Sequence, residues 1–229
     1  MTQPFEYHLP SRESGATRLL LLRHGEVHRE DCQALYGQMD VRLSEWGEEQ
    51  SRLAGLALKN IRIDAVYSSP LKRAALLGHE IARHHGLQPQ IVDVLKERFF
   101  GTWQGMMWPA IEASWPEEFA RYQQERFTMR APGGAESFED VHARVMPFIN
   151  ALLERHAGQT ICITAHGGPL RIILADAMQM PLTSLFRFEL DYCCLNVIDY
   201  GPKDERTRVK LMNATTHAIG SHAPTGSGG

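Results

Sequence analysis

The chain has 229 residues, of which 43% are hydrophobic, so it is long enough to bury one substantial core. Lysine and arginine total 24 against 27 aspartates and glutamates, and a net charge of -3 lacks the basic excess of nucleic-acid binders. The longest strongly apolar stretch, over residues 19–22, is far shorter than the roughly 18 residues of a membrane span. We therefore expect a protein that binds neither nucleic acid nor membranes.

Short apolar runs alternate with longer amphipathic runs along the chain. Strands are predicted near residues 19–22, 63–67, 91–94 and 160–164, and helices over residues 44–58, 71–85, 137–156 and from 168 onward. Ser44 is the predicted N-cap of the first helix. Two late strands, over residues 195–200 and 208–213, are joined by a turn. This alternation predicts an α/β fold.

The two ends of the chain and its cysteines give an expectation for the cellular compartment. Residues 1–16 and 217–229 lack apolar periodicity, so both are expected to be flexible. The amino-terminal residues also lack the apolar segment of a secretory signal, which predicts a cytoplasmic protein. Cys193 and Cys194 are adjacent and no CxxC occurs, so we expect reduced, mostly buried cysteines rather than a disulfide framework or a zinc site.

Three polar clusters directly follow predicted strands, over residues 23–26, 68–73 and 166–168. Because ligands in open α/β sheets bind outside the carboxyl ends of strands, these clusters are expected to meet in one pocket. A lone histidine at a strand end is usually a surface or capping residue. Two of them, His24 and His166, each followed by glycine, favour a functional site.

The residue types in these clusters suit a phosphoryl group. The guanidinium groups of Arg23 and Arg73 match phosphate oxygens in shape and charge, and the glycines and the helix near Gly168 allow backbone N–H groups to approach an anion. A neutral imidazole is a competent nucleophile, so one histidine could carry the phosphoryl group. The P-loop, the cysteine phosphatase loop, DxD, HExxH and GxSxG are all absent from the sequence.

In this order, the segments LLLLRHGE, SSPLKRA and ITAHGG resemble the histidine phosphatase superfamily, which includes the cofactor-dependent phosphoglycerate mutases. The segments YGQMDVRLSEWGEEQ and LKERFFGTWQG match it as well. The resemblance implies one domain over residues 17–216, with a small helical cap at about residues 99–135. It also implies a three-layer α/β/α fold with a mostly parallel mixed sheet and helices on both faces.

The resemblance also implies roles for single residues. His24 is expected to become phosphohistidine, and Glu97 to protonate the leaving oxygen and then activate water. His166 is the third expected catalytic residue. The expected substrate-binding residues are Arg23, Arg73, Gly167 and Gln38. No metal or other cofactor is implied, and the expected partners are a small phosphomonoester substrate and a second copy of the chain in a homodimer.

Two positions depart from the family pattern. Val27 stands where a hydroxyl residue is usual, and Glu30 where asparagine is expected, so an extra carboxylate could repel a phosphate dianion. The expected activity is still that of a metal-independent phosphatase. A different class of function, a catalytically weak module that binds a phosphorylated ligand, stays open because of these two residues.

Three segments are similar to the alpha-ribazole-5'-phosphate phosphatase branch, which acts in cobalamin biosynthesis: ERFFGTWQG, PGGAESFEDVHARV and FRFELDYCCLNVIDY. The cap's aromatic and thioether residues have two interpretations. They form a wall that contacts the benzimidazole ring of the substrate, or they form a buried core within the cap. These residues are Phe99, Phe100, Trp103, Met106, Met107, Trp108 and Trp115. A broad-specificity sugar or nucleotide phosphatase and a phosphoglycerate mutase-like enzyme are the alternatives, although the compact region between Arg98 and Ala165 favours hydrolysis over transfer.

Overall fold

The computed structural model of the protein describes residues 6–28, 30–31, 33–202 and 206–215. The strands in these ranges are β1 (Thr17–Arg23), β2 (Ala65–Ser68), β3 (Gln90–Ile91), β4 (Thr160–Ala165), β5 (Leu195–Tyr200) and β6 (Thr207–Ala214). The helices are α1 (Glu45–Ala57), α2 (Lys72–Ala82), α3 (Trp108–Ser114), α4 (Pro116–Gln124), α5 (Phe138–Arg155) and α6 (Gly167–Ala177). Strands and helices alternate through most of the chain, as predicted.

All six strands form one sheet in the order β3-β2-β4-β1-β5-β6. The pairs β3–β2, β2–β4 and β4–β1 are parallel, whereas β5 and β6 are antiparallel to their neighbours. The prediction of a mostly parallel mixed sheet is confirmed. The carboxyl ends of β1, β2 and β4 therefore lie next to one another at the same edge of the sheet.

The sheet is covered by helices on both faces. In β1, Leu19 and Leu21 share a buried core with α5 and α6, whereas Leu20 and Leu22 share one with α1 and α2. Successive side chains of a strand point to opposite faces, so a continuous leucine run supplies both cores. This arrangement confirms the predicted three-layer α/β/α fold.

Local capping signals set where the helices begin. Ser44 is the N-cap of α1, as predicted, and its hydroxyl accepts a hydrogen bond from the Gly47 N–H. Ser137 and Asp140 form a reciprocal capping box at the start of α5. The strand predicted near residues 91–94 is wrong in its extent, because β3 pairs with β2 through two residues and a 3-10 turn begins at Asp93.

The cap has its own hydrophobic core. Phe100 and Trp103 are buried there with Ile111 and Tyr122, and three further predicted wall residues pack against this cluster: Met106, Trp108 and Trp115. Most of the cap's aromatic and thioether side chains therefore serve its packing. This favours the second interpretation of these residues, a buried core, over a wall for a benzimidazole.

Residues 1–5 lie outside the described ranges, as does the whole predicted flexible tail at residues 217–229. Within the predicted flexible segment at residues 1–16, Tyr7 is buried and its hydroxyl donates to the carbonyl oxygen of Ala214, at the end of β6. Three cysteines in the described ranges, Cys162, Cys193 and Cys194, are free and buried. No helix in the described part of the chain is long and apolar enough to cross a membrane.

Candidate active site

The three polar clusters meet at the carboxyl edge of the sheet. Arg23 at the end of β1 is paired with Ala165 at the end of β4, which places the next residues, His24 and His166, side by side. Their ring centroids are 5.2 Å apart. The third cluster joins them through Ser69, whose hydroxyl lies 2.7 Å from Nε2 of His166.

His24 has a defined tautomer. Its ring is buried, and Nδ1 lies 2.8 Å from the carbonyl oxygen of Gly25. Because a carbonyl oxygen only accepts hydrogen bonds, Nδ1 carries the proton, and in a neutral ring Nε2 carries the lone pair. Burial, together with the charges of Arg73 and Arg23, lowers the pKa of His24 well below 6.5. At neutral pH, His24 is therefore an uncharged ring with a nucleophilic Nε2.

His166 is the N-cap residue of α6 and is also fully buried. Burial lowers its pKa well below 6.5, and the charge of Arg73 adds to this effect. While Nε2 contacts Ser69, Nδ1 is buried without a hydrogen-bond partner among the described residues. One polar atom of this ring is thus available to a bound ligand.

Arg73 is a buried cation held by backbone carbonyls. Its Nη1 donates to Met39 and its Nη2 to Gly37, at 2.7 and 2.6 Å, and the guanidinium lies 4.9 Å from the ring centroid of Tyr36. Nε is buried and unpartnered within the described ranges. These neutral contacts fix the group without cancelling its charge.

Arg23 is held in the same way on the other side of His24. Its Nη1 donates to the Leu190 carbonyl oxygen at 2.5 Å, its guanidinium lies 4.3 Å from the ring centroid of Tyr192, and its Nε is buried with no partner found in the described chain. Tyr192 also lies 5.6 Å from the His24 ring. Tyr36 and Tyr192 belong to none of the three clusters, so the sequence did not predict them as site residues.

Glu97 lies at the amino-terminal end of α6. Both of its carboxylate oxygens are 3.2 Å from the N–H of Gly168, and Oε1 also accepts from the Arg98 N–H at 2.8 Å. A Cβ on Gly168 would collide with Oε1, so a larger residue at this position would displace the Glu97 carboxylate. The structure thus places Glu97 beside the polar cluster at residues 166–168.

Gln38 contacts Glu97 through the backbone. Its Nε2 donates to the Glu97 carbonyl oxygen at 2.9 Å, and Arg144 donates to the same oxygen at 3.1 Å. Gln38 thus holds the backbone of Glu97, and a direct contact with the substrate stays a prediction. A direct contact between the substrate and Gly167, the first residue of α6, also stays a prediction.

The two departures from the family pattern occupy different environments. Val27 is buried and forms an isolated β-bridge with Leu43. The side chain of Glu30 is 80% exposed, and its carboxylate lies 3.8 Å from Nδ1 of His28. Water screens an exposed carboxylate, so the expected repulsion of a phosphate by Glu30 is weak.

Arg171 is a further buried arginine near the site, and it was not among the residues predicted from the sequence. It lies in the first half of α6, four residues after Gly167. A spacing of four places two residues on the same face of a helix, which was the available signal. The surrounding apolar run LRIILADAM obscured it.

The two buried histidines are expected to make the fold less stable as the pH falls below about 6.5. The unfolded chain takes up protons there, whereas the lowered pKa of His24 and of His166 keeps both rings neutral in the folded protein. Each contributes a slope of up to about 1.4 kcal/mol per pH unit to the free energy of unfolding. Denaturant unfolding at pH 7, 6 and 5 measures this slope.

A His24→Gln variant is expected to reduce the slope, and a His8→Gln variant, whose side chain is exposed, serves as the matched control. An unchanged slope in His24→Gln would contradict the burial of a neutral ring at this position.

Comparison with known proteins identifies the family. The model of the histidine phosphatase superfamily (branch 1) matches residues 19–215. The chain belongs to this superfamily. The family match runs from Leu19, within β1, to just past the end of β6, and it includes every residue of the site described above.

Phosphatases related to this chain are named for several different substrates. Phosphoserine phosphatase 1 of Hydrogenobacter thermophilus is 31% identical over 200 residues, covering 87% of this chain and 93% of that protein. The adenosylcobalamin/alpha-ribazole phosphatase of Escherichia coli is 29% identical over 193 residues, covering 84% and 94%. A solved mycobacterial glucosyl-3-phosphoglycerate phosphatase superposes with a TM-score of 0.78 at 25% identity, covering 87% and 100%.

Proposed function

We propose that this phosphatase hydrolyses small phosphomonoesters through a covalent phosphohistidine at His24. The observation that carries the proposal is the neutral His24 ring, whose Nε2 has a lone pair, close to the buried Arg73 and the partly buried Arg23, neither of which forms an ion pair with a carboxylate in the described chain. A nucleophile next to fixed positive charge suits attack on a phosphate dianion.

In the first step, Nε2 of His24 attacks phosphorus, and the bond from phosphorus to the ester oxygen breaks. Glu97, in its acid form, gives its proton to that oxygen, so the leaving group departs as an alcohol. Arg23 and Arg73 balance the negative charge on the phosphoryl oxygens. The unpartnered Nδ1 of His166 is available to the same oxygens.

In the second step, water hydrolyses the phosphohistidine. The Glu97 carboxylate accepts a proton from water, the water oxygen attacks phosphorus, and the N–P bond breaks. Inorganic phosphate leaves, His24 returns to its neutral form, and Glu97 regains its proton. The arginines supply the positive charge that a metal ion supplies in many other phosphoryl transfers.

Trapping the intermediate tests this proposal. The protein is mixed with p-nitrophenyl phosphate, quenched in alkali after a few milliseconds to seconds, digested and measured by mass spectrometry. We expect one added phosphoryl group, stable to alkali and labile to acid, on the peptide that contains His24. Steady turnover with a phosphoryl group on any other residue, or with none on His24, would contradict the mechanism.

The substrate has two candidates. Alpha-ribazole 5'-phosphate is supported by the three similar segments and the Escherichia coli relative, although the cap residues suggested as its aromatic wall mostly pack in the cap's core. A phosphorylated hydroxy or amino acid is favoured by the position of Arg171. The phosphoserine phosphatase from Hydrogenobacter is consistent with it.

Steady-state kinetics with excess EDTA separate these candidates. The panel contains alpha-ribazole 5'-phosphate, O-phospho-L-serine, and sugar, nucleotide and glycerate phosphates, and the glycerate reaction is also assayed for mutase product. The highest kcat/KM identifies the substrate class. A single burst of phosphate or alcohol release, without further turnover on any substrate, would instead support the alternative function, a catalytically weak module that binds a phosphorylated ligand. The cytoplasmic location and the homodimer stay predictions.

A further inference from the structure

Arg171 is buried beside the site, and the phosphoryl-transfer steps do not use it. The residue is 9% exposed. A Cβ built on Gly167 would lie 2.8 Å from Nη1 of Arg171 and 3.8 Å from Oε2 of Glu97. The guanidinium and the carboxylate therefore lie close to the same point, at the start of α6.

Arg171 has no hydrogen-bonded carboxylate partner in the described chain, although the Glu97 carboxylate lies nearby. Its Nε is buried with no hydrogen-bond partner in the part of the chain described. Its ion-pair partner, Glu189, is 3.7 Å away, too far for a hydrogen bond, and the Glu189 side chain is 69% exposed. A buried cation that has no hydrogen-bonded carboxylate partner is costly, so it favours binding of an anion.

The guanidinium is also held in place before any ligand binds. It lies 5.2 Å from the ring centroid of Phe186, on which Arg126 also packs at 4.8 Å. Packing against an aromatic ring fixes the plane of a guanidinium and reduces the entropy lost on binding. Such a group is suited to a planar, bidentate partner.

We propose that Arg171 binds a carboxylate on the leaving group, and that the preferred substrates are phosphorylated hydroxy or amino acids. The proposal rests on the proposed phosphatase function. Glu97 gives its proton to the leaving oxygen, and Arg171 lies near Glu97 beside Gly167, so a group carried by the leaving alcohol comes close to Arg171. A carboxylate is planar, matches the guanidinium fork, and carries the single charge that one arginine balances.

Two substrates that differ in one group test the proposal. O-Phospho-L-serine and O-phosphoethanolamine share the phosphate and the amine, and only the first has a carboxylate. We expect the unmodified protein to favour O-phospho-L-serine, and Arg171→Met to lower kcat/KM for it by about 10- to 100-fold, the usual effect of losing a hydrogen bond to a charged group. Activity toward O-phosphoethanolamine should change little, and Arg171→Lys should restore part of the loss.

Arg126→Met is the matched control, because Arg126 packs on the same Phe186 ring. It should leave the preference for the carboxylated substrate intact. Equal losses on both substrates in Arg171→Met would indicate a structural role and overturn the proposal. So would the absence of any preference in the unmodified protein.

Binding separates this inference from the proposed function. Calorimetry with the His24→Ala protein measures affinity for the two phosphate esters without turnover. Tighter binding of O-phospho-L-serine, lost in the His24→Ala, Arg171→Met double variant, would support the role of Arg171 even if the unmodified protein turned over neither ester. Equal affinities for both esters would overturn it even in an active phosphatase.

Discussion

Replacing His24 by alanine is expected to lower kcat/KM for p-nitrophenyl phosphate by on the order of 10⁴-fold or more, the scale seen when a covalent nucleophile is removed. The variant keeps Arg23 and Arg73, so it should still bind inorganic phosphate. Loss of turnover with retained phosphate binding is the expected result. Steady-state kinetics and calorimetry with inorganic phosphate measure the two quantities.

Two controls make the His24 experiment specific. His28→Ala removes a half-buried ring from the same segment, and activity should be unchanged because His28 contacts Glu30 rather than the phosphate-binding arginines. Added imidazole should partly restore turnover in His24→Ala by replacing the missing ring as nucleophile. Activity of the alanine variant close to that of the unmodified protein would contradict the proposed mechanism.

The sequence predicted the centre of the site because its residues follow strands. His24 and His166 each come directly after a buried strand. In a parallel pair, such residues lie at one edge of the sheet by geometry alone. Arg73 follows β2 by only a few residues and comes to the same edge. The strand assignments alone were therefore enough to predict that these side chains lie close together.

Glu97 and Arg171 were harder to predict from the residues alone. Glu97 lies in an irregular segment, and its contact with Gly168 joins positions 71 residues apart that no local periodicity relates. It was identified through the family resemblance. Arg171 lies within an apolar helix pattern, in which a single charge is usually interpreted as a solvent-exposed residue. Its burial follows from tertiary packing against Phe186.

The aromatic residues of the cap show another limit of sequence reasoning. Composition does not distinguish a pocket wall from a core, because both need large apolar side chains. Trp103 and Tyr122 pack edge to face with ring centroids 5.5 Å apart, inside the cap. The substrate preference is therefore better sought in charged groups near Glu97 than in these rings.

Glu97→Gln is expected to separate substrates by their leaving groups. The first step needs a proton on the departing oxygen only when that oxygen is a poor leaving group, so kcat/KM for an alkyl phosphate should fall by about 10²- to 10⁴-fold. The value for p-nitrophenyl phosphate should fall much less, because p-nitrophenolate leaves without protonation. Glu189→Gln, which neutralises an exposed carboxylate near α6, is the control and should preserve p-nitrophenyl phosphate hydrolysis.

The same variant tests the second step. With p-nitrophenyl phosphate, kcat/KM reports phosphorylation of His24, whereas kcat also includes hydrolysis of the phosphohistidine. If Glu97 activates water, Glu97→Gln should release one equivalent of p-nitrophenol rapidly and then continue slowly, with phosphohistidine accumulating on His24. Equal losses of kcat/KM on both substrates would remove the acid role of Glu97. An unchanged kcat without a burst would show that water is activated by another group.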